Sequence, residues 1–166
     1  MKYIKNKIIH FLVFGSIYMN IEILARAVGR ELVGYEGIKP LSIMGFTSLW
    51  MFLVGGLCGV IIGALNDHQK YCNLKMWQQV LIGGTVITLA ELFSGIFFNI
   101  YLGLYLWDYS GDKFNFMGQI ELKNCIWWYV LPTIIIWLDD ALSCYFYEEE
   151  KPPSLLSYFK KLITFK

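Results

Sequence analysis

The stretch from Ile43 to Leu65 reads IMGFTSLWMFLVGGLCGVIIGAL and contains no charged side chain. A helix rises about 1.5 Å per residue, so a stretch of this length can cross the roughly 30 Å apolar core of a bilayer. Of all 166 residues, 57% are hydrophobic and only 16% are charged, whereas about a quarter of the residues in a soluble domain are charged. The composition therefore predicts an all-α protein with one membrane-embedded domain.

Three further apolar stretches indicate a bundle of four transmembrane helices. They run from about Ile8 to Val28, from about Trp77 to Leu104 and from about Ile126 to Tyr147. The first could instead belong to a signal peptide, but polar side chains near its end favour a membrane span. Pro132 lies inside the last stretch and is expected to kink that helix. We thus predict a four-span membrane domain over residues 1–147.

Residues 148–166 are predicted to form a separate tail. The run EEEKPP at residues 148–153 ends the last span, and Ser154 can cap a short helix after it. Lys160 and Lys161 lie off the apolar face of that helix. The apolar face consists of Leu155, Leu156, Phe159, Leu162 and Ile163. We expect an amphipathic helix lying in the interface of an anionic leaflet; a disordered basic tail is the alternative.

The distribution of basic residues predicts the orientation of the chain in the cell membrane. With four spans, both termini and the turn at residues 66–75 lie on one side, which carries nine lysines, whereas the two opposite loops carry four basic residues. The more basic side of a membrane protein faces the cytoplasm. Both termini are therefore expected in the cytoplasm, and the loop at residues 107–124 on the outer side.

Polar side chains recur at helical spacing in the first and third spans. A lone acid at mid-bilayer costs about 2.5–3.5 kcal/mol, so Glu22 and Glu91 must face the bundle interior and find partners. The first stripe consists of Gly15, Tyr18, Glu22, Ala25, Arg26 and Gly29. The second stripe consists of Gly84, Thr88, Glu91, Gly95, Asn99 and Gly103. Two interpretations remain open: the charged groups pair and fix the register of the bundle, or they line a polar cavity.

The outer loop begins at Trp107, reads WDYSGDKFNFMGQI, and mixes polar and aromatic side chains between two apolar spans. Trp107 and Tyr109 are amphipathic and suit the membrane interface. Asp108 can close a turn through its side-chain oxygen, and Asn115 also suits a tight turn. Near Gln119 the loop could dip back as a re-entrant or interfacial segment, because polar side chains there can satisfy its backbone.

Other features give weaker signals. Gly55, Gly59 and Gly63 form a GxxxGxxxG ridge, which favours an intramolecular groove over a dimer face. Asp139 and Asp140 point about 100° apart on a helix, and we expect a solvated pair at the membrane interface. The four cysteines and two histidines lack metal-ligand spacing, so we predict no metal site.

The net charge of +1 and the scattered basic residues exclude a nucleic-acid surface. We predict no cofactor. The sequence contains no Walker, GxSxG or HExxH motif, so an ATPase working with this protein would be another chain.

Several segments resemble a known family. The run Leu104-Tyr105-Leu106-Trp107-Asp108-Tyr109-Ser110 is followed by Phe114-Asn115, Gly118, Ile120-Glu121-Leu122 and Trp127-Trp128. This pattern resembles the WDYS…FN..G.I.L…W signature of the CmpB-type "putative ABC-transporter type IV" membrane proteins. Upstream, Ser48-Leu49-Trp50-Met51-Phe52-Leu53 with Gly55 resembles the SLWMF segment of the related eukaryotic transmembrane protein 229 group.

The resemblance extends from about residue 11 to residue 137 and implies a small polytopic protein with a permease-like role. Glu22 and Glu91 fall where proteins of this kind carry acids in their first and third helices. Lys113 stands where many relatives have proline, so the turn before Asn115 is expected to be less rigid.

These features fit three functions. The first is a permease-like component with an outward-facing polar pocket for a small polar molecule or a lipid headgroup. The alternatives are a structural or accessory membrane subunit and a membrane-embedded enzyme that acts on lipid through Glu91 or Asp108. We expect membrane lipids and a separate partner subunit as partners. The predicted pocket residues are Glu22, Arg26, Glu91, Asn99, Trp107, Asp108, Tyr109, Asn115 and Gln119.

Overall fold

The computed structural model describes residues 2–29 and 45–165, with side chains described for residues 7–27 and 45–165. Contacts divide the chain into two compact units, Met1–Leu57 and Cys58–Lys166, and each unit is described by itself. Most of the predicted loop at residues 29–42 lies outside the described residues, as does the start of the predicted second span.

The described chain is mostly helical. In chain order the elements are α1 (Lys2–Gly29), α2 (Leu49–Asn66), α3 (Gln69–Cys72), α4 (Met76–Gly95), a π-helix (Ile96–Tyr101), β1 (Asn115–Phe116), β2 (Ile120–Glu121), α5 (Leu122–Trp128), α6 (Leu131–Tyr147) and α7 (Leu155–Ile163). Four segments are long and apolar enough to cross a membrane: Lys7–Ala27, Leu49–Asn66, Met76–Tyr101 and Leu122–Tyr147. The predicted all-α fold with four transmembrane helices is therefore confirmed.

Three predicted span boundaries differ from the structure by three or more residues. The fourth span begins at Leu122 instead of near Ile126. The second helix begins at Leu49 instead of near Ile43, because residues 45–48 are irregular. The third ends at Tyr101, three residues before the predicted end. Gly103 and Tyr105 have φ angles of +65° and +50°. A right-handed helix cannot continue through such residues, so the chain leaves the span there.

Pro132 was predicted to kink a continuous helix, and this prediction is wrong. The chain turns at residues 129–130, between α5 and α6, and Pro132 lies in the first turn of α6. The backbone N–H groups of a first turn have no partner within the helix, so the missing N–H of proline costs nothing there. The break precedes the proline, and Pro132 instead packs on Gly83, where an added Cβ would lie 2.7 Å from its ring.

Apolar side chains cover the outside of the described chain, and polar ones lie inside it. Phe93 and Trp127 are 64% and 63% exposed, whereas Thr133 and Asp139 are 0% and 1% exposed. This distribution is the reverse of that in a soluble protein. It fits a lipid environment, where each polar group needs an internal partner.

Glycines allow close helix contact in both units. In the first unit, a Cβ on Gly15 would lie 2.7 Å from the carbonyl oxygen of Phe52, and Gly55 lies against the side chain of Tyr18. In the second unit, Gly63 lies against the carboxylate of Asp139. Gly55 and Gly63 thus both pack on parts of their own chain, which agrees with an intramolecular groove.

The tail forms a helix that packs on the second unit. α7 contacts α4 and α6, and Tyr158 on its inner face is only 6% exposed. Ser154 occupies the N-cap position, but its side chain makes no cap hydrogen bond and lies 3.1 Å from the hydroxyl of Ser157. The regular helix excludes the disordered alternative for these residues.

Candidate functional site

The loop at residues 107–124 contains a small β-hairpin, a structure that was not predicted from the sequence. β1 and β2 pair in antiparallel orientation, with Asn115 opposite Glu121. Met117 and Gly118 form the turn, with φ angles of +56° and +68°. Two successive residues with positive φ match the twist of a two-stranded hairpin. The loop therefore has a fixed shape that can position side chains.

Asp108 and Asn115 hold the hairpin together. The Oδ1 atom of Asp108 accepts hydrogen bonds from the Ser110 hydroxyl at 2.5 Å and the Ser110 amide at 2.8 Å. These two bonds hold the pKa of Asp108 below its usual range. Asn115 donates to the carbonyl of Asp112 at 2.8 Å and accepts from the amide of Gly118 at 3.0 Å. Both predicted pocket side chains are thus occupied in folding the loop.

A buried amide network attaches the loop to the π-helix. Asn99 and Gln119 are 5% and 6% exposed. The Asn99 amide donates to Gln119 Oε1 at 2.9 Å and to the carbonyl of Trp107 at 3.0 Å, and its oxygen accepts from the amide of Leu106 at 2.7 Å. The Trp107 indole donates to the carbonyl of Gln119 at 3.0 Å. A π-helical turn inside an α-helix often marks a functional site, and this one carries Asn99.

Glu91 is the acid at the centre of the second unit. It is 8% exposed and accepts hydrogen bonds from the hydroxyl of Tyr109 at 3.3 Å and from the indole of Trp128 at 2.5 Å. Both donors are neutral, and within residues 45–165 no lysine or arginine forms an ion pair with Glu91. A carboxylate has about four acceptor positions, so two contacts leave further capacity to bind a donor.

Tyr109 connects Glu91 to the hairpin. Burial, and then the charge of Glu91, raises the pKa of Tyr109 well above its usual range. The charge of Glu121 acts in the same direction, and this second acid is itself only 7% exposed. Tyr109 thus stays protonated and donates to Glu91 at neutral pH, with two buried acids nearby.

In the first unit, Glu22 has partners close to it. Its Oε1 lies 3.5 Å from Arg26 Nη2, and its Oε2 accepts from the hydroxyl of Thr47. The guanidinium of Arg26 lies 4.4 Å from the ring centre of Phe46. Glu22 and Arg26 therefore form a local pair. That they belong to a ligand pocket stays a prediction.

Hydrogen bonds join the predicted pocket residues in separate groups: Glu22 with Arg26 in the first unit, Asn99 with Trp107 and Gln119 in the second, and Glu91 with Tyr109. Trp128, which donates to Glu91, and Glu121, whose charge acts on Tyr109, were not predicted from the sequence. An indole N–H at the start of a span needs an acceptor, so the sequence did indicate that a tryptophan there would donate to a polar group. It could not distinguish Trp128 from Trp127, because the two are adjacent and only the fold shows that Trp127 points outward, 63% exposed.

Asp139 and Asp140 were predicted to form a solvated pair, and this prediction is wrong. Asp139 is 1% exposed. The amide of Asn66 donates to Asp139 at 3.2 Å and to Asp140 at 2.7 Å, and the hydroxyl of Tyr158 donates to Asp140 at 2.6 Å. Burial and the bond to Asp140 raise the pKa of Tyr158 well above its usual range. The prediction failed because α7 covers this end of α6.

Cavities in the second unit lie beside the turn at residues 66–75 and beside the tail. One, of about 390 Å³, is lined by Asp140, Glu149, Glu150, Lys151, Pro152, Pro153 and Tyr158. The other, of about 440 Å³, is lined by Leu65, His68, Lys70, Tyr71, Leu74 and Ile82. In the described part of the chain, no group of three His, Cys, Asp or Glu side chains could hold a metal ion. The four cysteines are free thiols.

Comparison with known proteins identifies the family. No solved structure matches the chain. The family described as "Putative ABC-transporter type IV", CmpB type, matches residues 9–163. These residues include the first span apart from its first two residues, the other three spans, the hairpin and α7. The family match thus covers every element that builds the site. This chain belongs to the CmpB-type family of putative ABC-transporter type IV membrane proteins.

Proposed function

We propose that this chain is a small permease-like membrane component whose polar core, under the outer hairpin, binds a small polar molecule or a lipid headgroup. The observation that carries the proposal is Glu91, a buried carboxylate whose described partners are the neutral donors Tyr109 and Trp128. An uncompensated acid inside a span costs about 2.5–3.5 kcal/mol. A ligand with a cationic group would offset this cost, so an amine is the favoured ligand chemistry.

The other predicted residues have distinct roles in this proposal. Tyr109 and Glu91 contact the ligand. Asn99 and Gln119 hold the hairpin over the site, since each is buried and bonded to the other at 2.9 Å. Trp107, Asp108 and Asn115 fix the hairpin from within.

The hairpin would lie on the outer side of the cell membrane and both termini in the cytoplasm. The excess of lysines on the side of the termini supports this orientation. Any ATP hydrolysis would take place in a separate partner subunit, because the sequence contains no Walker motif.

An accessory subunit without its own ligand is the second candidate. One observation favours it: each carboxylate oxygen of Glu91 already accepts one hydrogen bond. In that case Glu91 would serve only to attach the hairpin and α5 to α4.

Replacing Glu91 with glutamine separates the two candidates. Glutamine has the same shape, its oxygen can still accept from Trp128, and its amide can donate to the hydroxyl of Tyr109, so the fold should persist. The purified chain in detergent micelles would be titrated with ethanolamine, choline and glycerol, with tryptophan fluorescence and thermal unfolding as readouts. Asp112→Asn removes an exposed acid of the same hairpin and serves as the matched control.

We expect an amine to raise the unfolding midpoint of the wild type and of Asp112→Asn, and E91Q to bind it at least about tenfold more weakly. Binding of phosphatidylethanolamine in nanodiscs without binding of free ethanolamine would identify a lipid headgroup as the ligand. If no amine binds the wild type, while E91Q lowers the unfolding midpoint by several degrees, the accessory role is correct and the binding proposal is wrong.

A further inference from the structure

We propose that α7 binds an anionic lipid leaflet through a face that carries Leu156, Lys160 and Ile163, while its opposite face stays docked on α4 and α6. This inference is independent of the site at Glu91. It concerns the other end of the second unit and the surface of the bilayer instead of a ligand inside the bundle.

The first observation is the depth at which α7 is held. Tyr158 donates to Asp140 at 2.6 Å, and Asp140 lies seven residues before the end of α6 at Tyr147. Seven residues of helix correspond to about 10 Å. The indole of Trp137 also donates to the carbonyl of Pro153 at 3.1 Å. Both bonds hold the tail beside the last turns of α6, a helix within a segment that is long and apolar enough to cross a membrane.

The second observation is the division of α7 into two faces. Tyr158 is 6% exposed, whereas Leu156 and Ile163 are 78% and 74% exposed. Leu156 and Ile163 are seven residues apart and share a face, and Lys160 lies between them on the same face because residues four apart are neighbours on a helix. Tyr158 is about 200° away from Leu156 around the helix axis. The free face thus points away from the bundle.

The third observation is the separation of charge. α7 contains Lys160 and Lys161 but no acid. The glutamates of the preceding linker, Glu149 and Glu150, line the cavity beside Tyr158, which is the docked side of the helix. The free face therefore presents apolar and basic groups together. Exposed leucine and isoleucine beside lysine match the boundary between acyl chains and anionic headgroups.

These three observations select lipid over a protein partner. A helix tied to the side of a membrane span cannot avoid the leaflet, and its exposed apolar side chains would otherwise face water. Lys160 near an anionic surface shifts a binding equilibrium by roughly fivefold at physiological salt, so the contact should depend on lipid charge and weaken at high salt. Lys161 lies 5.5 Å from the ring centre of Tyr158, closer to the docked face.

Photocrosslinking of the full chain tests the proposal. Benzoylphenylalanine would replace Leu156, and in a matched control it would replace Glu150 on the docked side. The protein would be reconstituted in vesicles of phosphatidylcholine alone and of a phosphatidylcholine–phosphatidylglycerol mixture, and mass spectrometry would identify the adducts. We expect phosphatidylglycerol adducts at position 156, at least about tenfold fewer at position 150, and a strong reduction with Lys160→Glu plus Lys161→Glu.

The double replacement with arginine should restore the adducts, since it keeps the charge. Adducts between two copies of the chain, or no lipid adducts in either vesicle, would overturn the proposal. So would lipid adducts that are equally abundant in the charge-reversed variant, because they would show that lysine does not determine the contact.

Discussion

The hydrogen bond between Tyr158 and Asp140 should control whether α7 stays docked. Tyr158→Phe removes only the hydroxyl and keeps the ring in its buried position. The lost bond, 2.6 Å long, joins a hydroxyl to a carboxylate, and such bonds contribute about 1.5–3 kcal/mol. Asp140 keeps its contact with Asn66 at 2.7 Å, so it is not left entirely without a donor. We therefore expect the lower half of that range, about 2 kcal/mol.

A change of about 2 kcal/mol corresponds to a roughly thirty-fold change in the equilibrium constant between the docked and the undocked tail. Trypsin cleavage after Lys160 and Lys161 in the full chain measures this shift, because a protease cuts a helix only after local opening and its rate follows the open population. Tyr158→Phe should raise the cleavage rate by about this factor. Tyr145→Phe is the matched control, since Tyr145 is 81% exposed on α6.

Equal cleavage rates in the wild type and Tyr158→Phe would refute the reasoning. That result would mean that the contacts of α7 with α4 and α6 hold the helix without the hydroxyl.

Three further predictions concern the hairpin and the tail. Asn99→Ala removes the hydrogen bonds of Asn99 to the amide of Leu106, the carbonyl of Trp107 and Oε1 of Gln119. Each lost bond costs about 0.5–1.5 kcal/mol, so the unfolding midpoint in detergent should fall by several degrees. Gly118→Ala places a side chain at a φ of +68° and against Asp108 and Ser110, so amide hydrogen exchange in the hairpin should accelerate at least about fivefold. The pKa of Tyr158 is raised in the folded state, so its contribution to docking is complete below about pH 10, the pKa of a free tyrosine. The fluorescence of a polarity-sensitive dye attached to the tail of the wild type should therefore report undocking between pH 10 and the higher folded pKa, whereas Tyr158→Phe should show no such change.

Several features followed from residue patterns alone. The uncharged run up to Leu65 and three similar stretches predicted the four spans, because a helix of about 20 apolar residues is long enough to cross a bilayer. The polar stripe with Glu91 and Asn99 was also predictable, since the spacing of three to four residues places them on one helix face. The family was predictable from the WDYS run that begins at Trp107.

Other features depended on contacts between distant segments. The hairpin that begins at Asn115 was not predicted, because one of its two turn residues is Met117. Met117 has a positive φ, but methionine is not a residue type that indicates a turn. Asp139 and Asp140 were predicted to be solvated because a residue near a helix end is usually wet, but the tail returns to cover them. No pattern within α6 contains that information.

The sequence by itself determined that this chain crosses the membrane four times, that Glu91 lies inside the bundle and that residues 155–163 are amphipathic. These conclusions need only the local physics of burying apolar groups and satisfying polar ones along one helix. The tertiary structure alone decided which donors reach Glu91, namely Tyr109 from the hairpin and Trp128 from α5. A hydrogen bond requires two atoms within about 3 Å, and that distance is set by how separate segments pack.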